Sequence, residues 1–247
     1  MNKKILISVL TISTTLLFSS CNKDNSEPSN PTNGKTTAVF NSSLTYGKMT
    51  DQDGNLYKTI TIGTQTWMAE NLRTTKYNDG TSIPNITSSE EWSSLTTGAY
   101  CNYNNTTNLD TIATYGRLYN WYAVNTSKLA PKGWHVPTDA EWEILTTYLG
   151  GTSIAGGKLK ETGTTHWTTP NTSATNETGF TALPGGLCHT TGQFMVSGLV
   201  GGWWSSTENT NYPTTDAYPR NMRYQVSDVY QVNGIKKVGY SIRCVKD

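Results

Sequence analysis

The sequence predicts an α+β fold, and three features carry that reading. Leu56 to Ile62, alternating and β-branched, is turned by Gly63-Thr64-Gln65 into Thr66 to Ala69, and the two form a hairpin. Thr138-Asp139-Ala140-Glu141 is a capping box, placed directly after Pro137, and it opens a helix in mid-chain. Gly239 to Val245 alternates along its length and closes the chain as a strand. Helices in the middle and a strand at each end give a mixed sheet with two or three short helices, long loops and termini side by side.

Taken in order, Asp53-Gly54 is a tight-turn pair leading into the first strand of the hairpin. Asp51-Gln52-Asp53-Gly54-Asn55 is not a calcium loop of the EF-hand type. Such a loop needs glycine sixth and glutamate twelfth, whereas Gly54 is fourth and Ile62 twelfth. Ser88 or Ser89 caps a short helix over Glu90 to Leu95. Gly116 to Asn125 carries Leu118, Tyr119, Trp121, Tyr122 and Val124, which predicts a helix buried on most sides. After the capping box, Trp142, Leu145 and Leu149 recur at helical spacing until Gly150-Gly151 stops the helix. Past residue 176, clusters of Gly, aromatic and Thr/Ser residues predict short strands between long loops. No second linker and no internal repeat divides residues 46–247, which are read as one domain.

Composition narrows the function. Thr, Ser and Asn supply 85 of 247 residues, and charged residues only 15%. The formal net charge is +1, so no basic excess exists to displace phosphate counterions, and nucleic acid is not an expected partner. Tyr and Trp make up 22 of 26 aromatics. Such residues bury a ring while needing a partner for one polar atom. The expected core is therefore neutral and rich in side-chain hydrogen bonds.

The N-terminus predicts an address. Lys3 and Lys4 precede an apolar run from Ile5 to Phe18, too short to span a bilayer, which then ends in Ser19-Ser20-Cys21. That ending resembles a bacterial lipobox. It implies residues 1–20 as a signal peptide, cleavage between Ser20 and Cys21, and lipidation of Cys21. Residues 21–45, rich in Asn, Ser, Pro, Thr and Gly, read as a flexible tether. The implied location is the outer membrane, lipid-anchored, on the cell surface or the periplasmic face.

Several blocks of sequence carry a wider resemblance. They are Gly63 to Leu72 (GTQTWMAENL), Tyr115 to Val124 (YGRLYNWYAV), Ala130 to Trp142 (APKGWHVPTDAEW), Gly179 to Gly186 (GFTALPGG), Trp203 to Glu208 (WWSSTE) and the closing Gly239 to Val245. Through them the chain resembles the major paralogous domain family named for Fibrobacter succinogenes, found in Bacteroidetes lipoproteins. That family brings no settled activity. More remotely, Val136 to Trp142 is similar to a segment of sulfatase-modifying proteins, which implies a C-type-lectin-like fold. Cys101 and Cys244 lie in family-matching segments, so the resemblance implies a Cys101–Cys244 disulfide with Cys188 free.

No catalytic constellation emerges from the residues. The cysteine pair of formylglycine-generating enzymes is missing, and His135, His166 and His189 have no metal-ligand spacing. His135 reads as a structural polar contact. Glu70, Glu141, Glu161, Glu177 and Glu208 are the carboxylates available for sugar hydrolysis, and nothing in the sequence pairs them. No cofactor and no metal is expected, and the calcium-lectin tripeptides do not occur. The expectation is a non-catalytic recognition or adhesion module for glycan or protein. Trp203, Trp204, Tyr212, Tyr218, Asn209 and Asn211 are its candidate ligand contacts, with at most one of the two tryptophans fully buried. A structural component of the envelope is the alternative; a sulfatase-modifying-like or glycan-acting enzyme is the second.

Overall fold

The computed structural model describes residues 30–247; the expected signal peptide, Ser20 and Cys21 lie outside them. The architecture is mixed α+β with short helices and curled antiparallel sheets. In the main sheet, β1 (Gly47–Thr50), β2 (Leu56–Ile62) and β3 (Gln65–Met68) form a meander. The C-terminal strand β13 (Val245–Lys246) pairs with β3 on one side and with β6 (Trp134–His135) on the other. First and last strands therefore share a sheet but are not neighbours, since β2 and β3 stand between them. A second sheet centres on β10 (Asp216–Arg223), flanked by β9 (Val200–Glu208), β11 (Tyr230–Gln231) and β12 (Gly234–Ile235). Two ribbons complete the sheets: β4 (Tyr100–Cys101) with β5 (Leu118–Tyr119), and β7 (Leu187–Cys188) with β8 (Phe194–Met195).

Five short helices, rather than two or three, occur among the described residues. In α1 (Ser89–Ser94), the Ser88 side chain accepts from the Glu91 N–H. Helix α4 (Asp139–Tyr148) has the full capping box, Thr138 and Glu141 each satisfying the other's backbone N–H. The segment Gly116 to Asn125 is not one helix. Its first half holds β5, which pairs with β4, and the Tyr119 backbone also exchanges hydrogen bonds with Tyr240 at 2.8 and 3.0 Å. Asn120 then caps α3 (Trp121–Val124). Asn108 caps α2 (Leu109–Tyr115), and α5 (Thr152–Leu159) follows the Gly150-Gly151 stop at once.

The terminal segment is a spine rather than a single regular strand. Gly239 bonds Cys188, Tyr240 bonds Tyr119, and Ser241 bonds Gly202 and Trp204. Ile242 and Cys244 then accept from the Leu72 and Met68 N–H groups. The six residues from Gly239 to Cys244 thus tie the four sheets together. On either side lie two cores. One gathers Tyr119, Trp121, Trp204 and Ile242; the other gathers Trp67, Trp142, Phe180 and Trp203.

Residues 30–45, expected as tether, are laid along the domain instead. The Asn33 side chain donates to the Gly54 carbonyl and accepts from the Leu56 N–H. Thr32 is buried and bridges Asn55 and Arg73. Thr37 bonds Thr114 and His166, and the Val39 N–H donates to Glu161. A polar segment docks this way because hydrogen bonds, not apolar area, supply the complementarity.

Candidate functional site

The six predicted ligand contacts do not form one surface. Trp203 and Trp204 are both fully buried. Strand alternation sends them to opposite faces of β9, as expected, but each face is covered by its own core. Their indole N–H groups donate to Asn71 Oδ1 at 2.9 Å and to the Tyr119 carbonyl at 3.0 Å, so both are internally satisfied. Asn209 is also buried; its Oδ1 accepts from the Asn211 and Tyr212 N–H groups, which shapes the turn. Only Asn211 and Tyr212 are exposed, while Tyr218 is half-buried with its hydroxyl beside Thr210.

The histidines and carboxylates are spent in separate local networks. His135 sits between two acids, Nδ1 at 2.7 Å from Asp247 and Nε2 at 2.8 Å from Glu141. Burial alone would depress its pKa, but the hydrogen bonds of Asp247 and Glu141 outweigh that and raise it. Ser206 lines the same cavity of about 170 Å³. With both ring nitrogens taken, no serine–histidine pair is assembled there. Fully buried Glu161 bonds His166 at 2.7 Å, and Thr37 meets the other ring nitrogen at 3.0 Å. Glu70 pairs with Arg73, Glu177 with Lys158 and Glu208 with Lys236. Each of the five candidate glutamates therefore has its own partner. No group of three or more metal-ligating side chains occurs among the described residues.

Cys101 and Cys244 are likewise apart. Cys101 belongs to a small third cluster with Trp92, Leu118 and Cys188, whereas Cys244 lies in the core around Trp204. The Cys101–Cys244 pairing implied by the resemblance thus joins two different clusters, and all three described cysteines are free thiols in the structure.

An open feature lies elsewhere, at the tip of the β2–β3 hairpin. A groove of about 280 Å³ is lined by Leu44, Ile60, Ile62, Gly63, Tyr148 and Leu149, with Thr61, Glu177 and Thr178 at its polar edge. Tyr148 is 66% exposed, yet its ring is placed. A Cβ built on Gly63 would meet Tyr148 Cγ and Cδ2 at 3.1 Å and Cδ1 at 3.4 Å. Three ring carbons at nearly equal distance put that point above the ring's face, not at its rim. The ring thus stacks on the hairpin backbone and turns its other face outward. Gly63 also has φ +60°, so it is the residue that both the turn and the contact require. Ile144, one turn before Tyr148 on α4, and Ile154 on α5 are exposed as well.

Sequence reasoning missed Tyr148. The signal was present: Ile144 and Tyr148 are an i,i+4 apolar pair on α4, alongside the buried stripe of Trp142, Leu145 and Leu149 and outside it.

Residues 60–246 match the family model of the Fibrobacter succinogenes major domain. The chain belongs to that family. No curated relative and no solved structure matches it.

Within this major domain, the family blocks now have positions. The first supplies Gly63 beneath Tyr148 and Asn71 at the centre of the molecule. Asn71 Oδ1 receives Trp203 Nε1 and, at 2.7 Å, Arg243 Nε of the closing block. Arg243 also donates to the carbonyls of Met68, Phe180 and Thr181. Total burial pulls its pKa down to about 9. Four blocks distant in sequence are thus joined by one guanidinium and one amide.

Proposed function

We propose that this chain is an outer-membrane lipoprotein, cleaved between Ser20 and Cys21 and lipidated on Cys21, whose major domain is a non-catalytic recognition module for saccharides. The observation that carries the reading is Tyr148, an exposed ring held by one face with the other open. Sugar rings present apolar C–H faces that pack on such a platform, while their hydroxyls need polar neighbours. Thr61, Glu177 and Thr178 stand at that edge. The dispersal of histidines and glutamates into separate pairs supports binding over catalysis. The C-type-lectin-like reading rests on the Val136 to Trp142 resemblance. It agrees with α4 packed beside β9, though the platform is at the end of α4, against the hairpin tip, rather than in the late loop.

Glycan-array screening of the soluble chain from Asn22, wild type against Tyr148→Ala, tests this. Retention of a defined saccharide, weakened roughly 3- to 10-fold by the substitution, is expected. The saccharide reading fails if the array is blank or if Tyr148→Ala binds like wild type. Retention of an envelope protein in its place, lost with Tyr148, would turn the same surface into a protein-binding site.

A further inference from the structure

Two of the three cysteines in the described residues converge from strands 87 positions apart. Cys101 ends β4 and is paired in register with Leu118 of β5. Cys188 ends β7, and its backbone exchanges both hydrogen bonds with Gly239 of the spine, at 3.0 and 2.8 Å. A Cβ on Gly239 would lie 3.1 Å from Cys188 Cβ and 3.3 Å from Leu118 Cβ. The absence of that Cβ is what lets the two ribbons close on each other. Both cysteines are 1% exposed within a cluster walled by Trp92, Ile86 and Leu118. Both stand as free thiols in the structure, side by side in that one cluster. We propose that Cys101 and Cys188 are a disulfide site that staples the β4–β5 ribbon to the β7–β8 ribbon, with Cys244 remaining a thiol.

The bond forms by exchange with a small-molecule or protein disulfide. One cysteine thiolate attacks that disulfide and releases one thiol. The second cysteine thiolate then displaces the other thiol from the mixed disulfide. Two protein thiols lose two protons and two electrons, and one oxidant disulfide is reduced to two thiols. Burial first, then the neighbouring Cys188 thiol, pushes the Cys101 pKa well above its ordinary value. Exchange therefore belongs to folding, before the cluster closes over the sulfurs. Cys244, also pushed up by burial, sits in the other core with no cysteine in its cluster.

The test is non-reducing peptide mapping of the full chain, in two preparations. One is exported through its own leader; the other is refolded with a mixture of oxidised and reduced glutathione, which needs no assumption about address. A Cys101–Cys188 linked peptide, with Cys244 alkylated only after unfolding, is expected in both. Reduction should lower Tm by roughly 5–15 °C, as closing a long loop predicts. That response should vanish in Cys188→Ala and persist in Cys244→Ala. Alkylation of both Cys101 and Cys188 in the two preparations overturns the proposal. So does any linkage to Cys244, or a wild-type Tm that ignores reductant.

Discussion

At the scale of single residues, the molecule is held by polar side chains that reach across the fold. Arg243 is the extreme case: one buried guanidinium serves Asn71 and three carbonyls from two segments. Removing it leaves those acceptors without their donor. Arg243→Met should therefore cost about 3–5 kcal/mol in urea unfolding. Arg243→Lys should recover little, because an ammonium cannot reproduce the planar fork. His135 offers a pH-dependent counterpart. Its pKa is raised above 6.5, so its charged form stabilises the fold; that contribution is complete below pH 6.5 and lost as pH rises through the raised value. Burial would raise Glu141, but hydrogen bonds from Thr138 and His135 lower it from 4.5. Its contribution is present above 4.5 and lost as pH falls further. The pair is thus fully formed between about pH 4.5 and 6.5. Both side chains are partly exposed, so His135→Gln should remove no more than about 1 kcal/mol of stability difference between pH 6 and 8, followed by Tm against pH.

At the scale of elements, local chemistry was legible in the sequence and partner choice was not. Helix α4 announced itself, because the cap, the first-turn acids, the buried stripe and the glycine stop all lie within fourteen residues. Thr138→Ala should cost about 1 kcal/mol and leave the helix in place by circular dichroism. The β2–β3 hairpin was equally plain, since alternation and a glycine turn are adjacent. The reading failed where distant chain decided. Gly116 to Asn125 has the apolar content of a buried helix, yet β4 and Tyr240, the latter 121 residues from Tyr119, claim its backbone for extended pairing. Trp203-Trp204 showed the same limit. Alternation assigned their faces, but no local feature says that a core lies on each. Cys101 and Cys188 were hidden likewise, since their encounter depends on two ribbons meeting the spine. Tyr148 was missed for a different reason: what makes it a platform is Gly63, which lies on another element.

At the scale of the whole molecule, the boundary of the folded unit lies further toward the N-terminus than hydropathy indicates. Residues 30–45 have few apolar side chains and so resemble a linker, yet they contribute donors and acceptors to the first hairpin, α2 and the Glu161–His166 pair. A chain beginning at Gly47 should unfold at lower temperature than one beginning at Asn30, and should be cut by protease sooner at the loops those residues cover. Equal Tm values for the two would show that the segment adds nothing.

The docked segment also sets a length. Had residues 21–45 been free, the proposed lipid at Cys21 could stand roughly 80 Å from the domain at full extension. With the chain already held at Asn30, nine peptide units remain, which span at most roughly 30 Å. That is about the thickness of the bilayer's own hydrocarbon layer. The platform at Tyr148 would then sample only what comes within about a domain's breadth of the membrane, and a ligand held further out would have to be flexible enough to reach down to it.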